Sequence, residues 1–274
     1  MILKRFLLAA ATLCLGLTTM AQESSFEGEL LYENTVTSSA GMRKLFPSLF
    51  KDGSYEMQFI VKGKRRAIYD TFAGLVQYQD FDSDMGYCYS PLLKKGFKFV
   101  LSSEEKRMDK KYKYKYKGSI RNTGETKEIE GLKCQHYKGE ISLSDNLFGA
   151  EVVAKTIVDG WICRDFPPMY IGSVKIAGMP LVYDVIQSMG MTLMGSQRQH
   201  QYIEVKAVKR RSVDDAEVTV PEDILFQSSD DAEESMMKLQ KEIAKYIKKN
   251  KLPGLGIKID HGTAEGVSEG EDWD

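Results

Sequence analysis

The sequence predicts a mainly β protein, an antiparallel sheet followed by one C-terminal helix. Three observations carry this. Apolar and polar residues alternate through most of the chain, the period-two signature of half-buried strands. Turn residues punctuate those runs, and one stretch near the C-terminus changes to helical spacing. The composition agrees: 274 residues, 42% hydrophobic and 28% charged, are too apolar for a disordered polyampholyte, and 23 Gly with 7 Pro are too few for a collagen-like chain.

Residues 1–21 read as a signal peptide. Lys4 and Arg5 form the positive start, Phe6 to Leu17 the apolar stretch, and Thr19-Met20-Ala21 the small-residue site, with cleavage before Gln22. The rival reading is a lipoprotein acylated at Cys14, which Leu13 and the apolar residues after Cys14 oppose. The expected location is therefore the periplasm or the outer membrane, with secretion as the further alternative. Losing the leader takes the formal net charge from −1 to −3; the last fifteen residues carry −6, so residues 22–259 carry +3. That is no nucleic-acid signature.

Residues 22–228 read as one β domain. Phe26, Gly28, Leu30 and Tyr32 alternate with Glu27, Glu29 and Glu33; Tyr55, Met57, Phe59 and Val61 alternate with Glu56, Gln58 and Lys62. Gly63 marks a hairpin into Arg66–Thr71. Further strands are expected at 75–81, 86–90, 112–120, 132–142, 152–163, 180–187 and 199–210, with Ile203, Val205 and Ala207 on one face of the last. A short helix at 42–50 is opposed by Pro47. No internal repeat is visible. Residues 229–252 read as the helix. Ser228 or Ser229 is the expected cap, acids load the first turns and lysines the last, and Met236, Leu239, Ile243 and Ile247 form its apolar stripe. Residues 253–274 are Gly-rich and acidic, the composition of a disordered tail.

Three cysteines survive processing: Cys88, Cys134 and Cys163. A hairpin folding about Phe148/Gly149 sets Cys134 opposite Cys163, Lys138 opposite Asp159 and Tyr137 over Gly160. Opposed residues lie close enough for a disulfide, so a Cys134–Cys163 bridge is expected with Cys88 free.

Catalytic signals are weak. Gly266-Val267-Ser268-Glu269-Gly270 spells a nucleophile elbow but lacks the strand before and helix after that the motif needs. Cys134 and His136 share a strand face, without an evident third or fourth metal ligand. No phosphate loop or dinucleotide fingerprint is present. The reading is a protein that is not an enzyme and has no cofactor or metal.

Two segments suggest binding. Lys111, Lys113, Lys115 and Lys117 alternate with tyrosines, within a stretch from Lys94 to Arg121 that carries eleven basic and three acidic residues. On one strand the four lysines would share a face: a stripe for anionic lipid or an acidic partner, or a solvated sheet face. Met179, Met189, Met191 and Met194 lie among aliphatic residues and suit an adaptable apolar pocket or a core.

Several ordered segments resemble the family of exported Bacteroidetes-type envelope proteins catalogued as domain of unknown function 4412. They are Phe26-Glu27-Gly28 after the leader, Thr123 through Cys134, Gly160-Trp161-Ile162-Cys163-Arg164-Asp165, and Val205 through Pro221. Lys175 through Leu181 is more weakly similar to the Gly-Leu-Pro-Gly-Leu-Ile proteins, and departs from that signature after its proline. Cys163 and the helix with its tail are departures from the first family. The resemblance implies a lipoprotein-carrier-like fold: a curved antiparallel sheet, an open half-barrel, with helices over its concave side. It also implies an apolar cavity, for which Met57, Phe59, Tyr78, Tyr137, Met189 and Met191 are the candidate lining residues. The expected function is binding of a lipid or another apolar ligand. The alternative is an adaptor that docks envelope proteins through a sheet edge, the basic stripe or the tail.

Overall fold

The structure, a computed structural model, describes residues 26–40, 52–112, 116–147, 150–167, 169–171, 174–176, 178–191, 195–253 and 259. The leader, the 42–50 segment, Met194, and the acidic tail with its Gly266–Gly270 motif lie outside them. Among the described residues no helix is long and apolar enough to cross a membrane.

The fold class is as expected: mainly β, one curved open sheet of twelve strands, with a C-terminal helix. β1 (Glu27–Ser38) sits near its middle. On one side follow β2 (Gly53–Lys62), β3 (Arg65–Asp70), β4 (Leu75–Asp80), β5 (Met85–Ser90) and β6 (Lys95–Val100), each antiparallel to the last. On the other side lie β13 (Gly195–Arg210), β12 (Met179–Met191), β9 (Ala150–Cys163), β8 (Leu132–Leu147) and β7 (Tyr116–Ile129), again antiparallel. β14 (Leu225–Ser228) adds to β6 in parallel and ends the sheet; β10 (Met169–Ile171) and β11 (Val174–Ile176) pair separately.

The β3–β6 meander corrects the expectation of no repeat. Its strands begin at residues 65, 75, 85 and 95, a ten-residue period. Each turn uses the same chemistry. The last strand residue accepts a hydrogen bond from the backbone three residues on: Ala73 N–H to Asp70 (2.9 Å), Ser83 N–H to Asp80 (3.3 Å), Leu93 N–H to the Ser90 hydroxyl (3.3 Å). The residue after that is left-handed, at φ 70° for Gly74, 56° for Asp84 and 50° for Lys94. The repeat lives in side-chain roles filled by different residues, so self-similarity of letters misses it.

A helix the sequence did not suggest, α1 (Leu101–Tyr112), follows β6. Asp84 begins it from the neighbouring turn, accepting from Ser102 N–H (2.9 Å) and the Ser102 hydroxyl (2.5 Å). The C-terminal helix, α2 (Ala232–Asn250), is capped by Asp231, which accepts from Glu234 N–H, rather than by Ser228 or Ser229. Met236, Leu239 and Ile243 of its expected stripe, with Met108 of α1, bury against Leu75, Cys88, Phe97 and Phe99 on one sheet face. Arg107 ties the helices together: its guanidinium meets Glu104 of its own helix, Asp231 (3.0 Å) and Glu233 (3.3 Å). The opposite face of the meander is covered by residues 213–226, where Val213, Val218 and Phe226 pack on Ile60, Ala67, Val76, Tyr78 and Tyr89.

Candidate functional site

The face under the helices continues across the sheet as the largest core. Phe26, Leu30 and Tyr32 of the β1 segment meet Met57, Phe59, Ile68, Tyr137, Val158, Tyr183, Ile203 and Val205 there. Three of the six cavity candidates, Met57, Phe59 and Tyr137, therefore belong to one apolar assembly, each buried. Tyr78 does not. The pleat sends Ile68 to this face and its register neighbours Ala67 and Tyr78 to the other, under residues 213–226. There burial pushes the Tyr78 hydroxyl up to about 12, with the hydrogen bond to Tyr69 working against it. Met189 and Met191 lie in β12, opposite Ala154 and Val152; their side chains fall outside the described residues. Tyr32 crosses the core and donates its hydroxyl to Pro180 C=O at 3.1 Å; burial drives its pKa well up.

Toward one end the same face changes chemistry. Asn34 of β1 is opposed by Ile203, Val36 by Gln201 and Ser38 by Gln199. β13 continues the rows into β12, with Ile203 opposite Tyr183, Gln201 opposite Val185, and Gln199 opposite Gln187. Besides Ser38, five polar side chains in these rows (Asn34, Tyr183, Gln187, Gln199 and Gln201) are buried, at 5%, 0%, 3%, 1% and 2% exposure. Each holds at least one side-chain atom with no hydrogen-bond partner: Asn34 Oδ1, the Tyr183 hydroxyl, Gln187 Oε1, both amide atoms of Gln199, and Gln201 Oε1. A buried polar group left unsatisfied costs about 1–3 kcal/mol, so the cluster weighs heavily against a net stability of about 5–15 kcal/mol. The sequence places Ile203, Val205 and Ala207 on the inward face of β13; a bulge in its pairing with β1 turns Val208 inward in place of Ala207. Stepping the same alternation back by two and four places puts Gln201 and Gln199 inward as well.

The hairpin register is as expected: Cys134 faces Cys163, Tyr137 lies over Gly160, and Lys138 meets Asp159 at 2.7 Å. The expected disulfide is not formed. Cys134 and Cys163 are buried free thiols in hydrogen-bond contact, and that contact together with burial holds the Cys134 thiol far above the usual range. Cys88 is free, as expected, and burial raises its pKa too.

On the outer face a second group comes together. A bulge interrupts the β7–β8 ladder between Asn122 and Thr126. It turns the Thr123 hydroxyl toward His136 Nδ1 (3.0 Å), while His136 Nε2 meets Asp159 Oδ1 (2.7 Å). Trp161 stacks on the imidazole at 4.7 Å. Two strands away His200 Nε2 meets Asp184 (2.7 Å), and Asp184 is directly opposite Asp159. Lys138 and then His136 hold the Asp159 carboxyl below its ordinary range. Hydroxyl, imidazole and carboxylate in line can relay a proton. The neighbouring donors are engaged, Gly124 N–H by Asn122 (2.8 Å) and Glu125 N–H by Thr123 itself (3.3 Å), so neither is turned toward an oxyanion. Among the described residues no group of three or more His, Cys, Asp or Glu is placed to hold a metal ion.

The basic stripe is not one strand face. Lys111 lies in the last turn of α1, Lys113 and Lys115 fall outside the described residues, and exposed Lys117 lies in β7. The lysine–tyrosine alternation reads as a strand, but the turns before it are pulled into α1, where Leu101 and Met108 bury against the meander. No protein-family model matches the chain, and the search of curated proteins finds no similar sequence.

Proposed function

We propose that this is an exported envelope protein that binds a lipid or another ligand with an apolar part on the concave face of its sheet, without catalysing a reaction. The observation that supports the reading is the apolar face that runs across the curved sheet. One open curved sheet carries a continuous greasy surface, and an amphipathic C-terminal helix closes part of it through Met236, Leu239 and Ile243. A helix held by one apolar stripe and the Arg107 ion pairs can serve as a lid, since it presents the same kind of surface that an acyl chain would. The leader-like N-terminus and the family resemblance point to the envelope.

Native mass spectrometry of gently purified full-length protein tests this. A co-purifying lipid supports it, as does hydrophobic-dye binding that rises when residues 228–274 are removed. A bare polypeptide mass with no dye binding by either form rejects it.

The adaptor reading has one observation in its favour. β7 is a fourteen-residue edge strand, exposed over most of its length, and no described strand pairs with its outer side. Such an edge accepts an added strand from a partner. Lys117, Arg121 and Lys127 along it outnumber Glu125 and Glu128 by one charge, and Lys117 and Arg121 fall in its first half, where an acidic partner or anionic lipid would meet them. Equal binding to anionic and neutral vesicles across salt would remove the lipid branch of that reading.

A further inference from the structure

We infer that the ligand of the concave face is an amphiphile with an uncharged, hydroxyl-rich head, and that the head sits against Asn34, Tyr183, Gln187, Gln199 and Gln201. The inference rests on the binding function proposed above and names its ligand class.

The argument begins with unmet hydrogen bonds. Native interiors satisfy nearly all buried polar atoms, and a cluster of exceptions asks for an unrecorded partner. Here six such atoms gather on three adjacent strands of one face, in register, while Gln77 and Gln79 of β4 hold further unmatched amide atoms in the meander. All five side chains are more than nine-tenths buried. They are four amides and a phenol, so they offer both donors and acceptors and no formal charge. A carboxylate, phosphate or ammonium head would be buried there without a counter-charge, which is costly. A head with several hydroxyls matches every group, because a hydroxyl both gives and accepts. Val36, Val185 and Ile203 lie between the amides in the register, so polar and apolar patches alternate as they do on a polyol. In the next rows the face becomes Tyr32, Met57, Phe59 and Val205, the apolar surface a hydrocarbon tail needs. Ordered water is the competing partner for the same atoms.

The test uses the full-length protein and three probes: monoolein, with a neutral diol head; oleate, with the same chain and a charged head; and a hydrophobic dye. The variants are Gln199→Leu with Gln201→Leu, and, in case that pair fails to fold, Tyr183→Phe, which deletes one hydroxyl. Monoolein should bind at least tenfold more tightly than oleate. The double variant should lose about tenfold or more of the monoolein affinity, and Tyr183→Phe about threefold or more, with oleate and dye binding unchanged. Monoolein and oleate binding equally, with neither variant selective, overturns the head-group assignment, leaves the apolar-ligand reading standing and assigns the amides to water. Failure of all three probes to bind defeats that underlying reading as well.

Discussion

The two wings of the sheet solve the same problem differently. From β2 to β6 the strands are short, the turns chemically repetitive and both faces covered, by α1 and α2 on one side and residues 213–226 on the other. From β13 through β12, β9, β8 and β7 the strands run to 13–16 residues, and the outer face stays wet, with Ile157 and Tyr202 exposed. A meander with apolar residues on both faces gains little register information from its pattern, because a one-residue slip exchanges one buried face for another. Its turns must fix the register. A wing with one dry and one wet face is fixed by its pattern, and its outer surface is free to carry ion pairs such as Lys138–Asp159 and Lys155–Glu140. Function-like chemistry accordingly gathers where the wings join and on the long wing.

The largest way to break the comparison is to lift the cover from the short wing. Arg107→Met removes the guanidinium between the buried carboxylates of Glu104 and Glu233. Breaking a buried ion cluster from one side costs about 3–5 kcal/mol. Urea unfolding should show that loss, and hydrogen exchange should place it in α1, α2 and β4–β6, with β8 and β9 still protected. Uniform loss of protection would mean the wings are one cooperative unit. The long wing is broken at Gly139, where an added Cβ would lie 2.1 Å from the Ser119 carbonyl oxygen of β7. Gly139→Ala should cost about 2–3 kcal/mol as the edge strand is pushed away. Gly190→Ala is the control in the same wing: the nearest atom among the described residues, the Val153 carbonyl oxygen, is 4.0 Å off. If the two variants unfold alike, close backbone approach at Gly139 is not what sets the spacing of β7 and β8.

This contrast also explains what could be read in the letters. The long wing was legible. Alternation gave β8, β9, β12 and β13, and hairpin geometry gave the pairing of Cys134 with Cys163 and of Lys138 with Asp159. It leaves out the polar residues at inward positions and the second half of β7, which reads as a strand over 112–120 and runs over Tyr116–Ile129. Hydropathy ranks the amides of Gln199 and Gln201 as outward, although the strand period places them inward. In the short wing β6 was missed because Lys95, Lys98 and Gly96 dilute a strand whose buried face is only Phe97 and Phe99. Helix α1 was missed because its start depends on Asp84, far from it in the local pattern, and because the lysine–tyrosine run after it reads as a strand. Tyr78 reads as a ligand-face residue because Val76 and Tyr78 form the more apolar side of β4; the core side carries Leu75, Gln77 and Gln79, and residues 213–226 cover the tyrosine side.

Smaller effects sharpen the turn argument. Asp84 serves two roles, a left-handed turn residue and the acceptor for Ser102 at the start of α1. Asp84→Gly keeps the backbone freedom and loses the cap, for about 1 kcal/mol; Asp84→Ala loses both, for about 2 kcal/mol. Equal losses would show that the backbone conformation carries no cost. Lys94 holds the same turn position with only an exposed contact to Asp223. Lys94→Gly should therefore be stabilising, by about 0.5 kcal/mol, since relief of left-handed strain outweighs a surface ion pair and the flexibility of glycine. Thermal unfolding reads the sign directly.

The smallest expected effect lies on the wet face and is read by pH. The Asp159 carboxyl is held below its ordinary range first by Lys138 and then by His136. A carboxyl whose folded pKa is depressed adds stability above its unfolded value, near 3.9, and loses it as pH falls through the folded value. Lys138→Met should raise the Asp159 pKa toward the ordinary range, which NMR titration can follow. The variant should be less stable than the parent at neutral pH, and the gap should close as both are acidified below the carboxyl range. A gap that persists at low pH would mean that Lys138 acts by packing its stem on the sheet, and the outer face of the long wing would then be held by contact rather than charge.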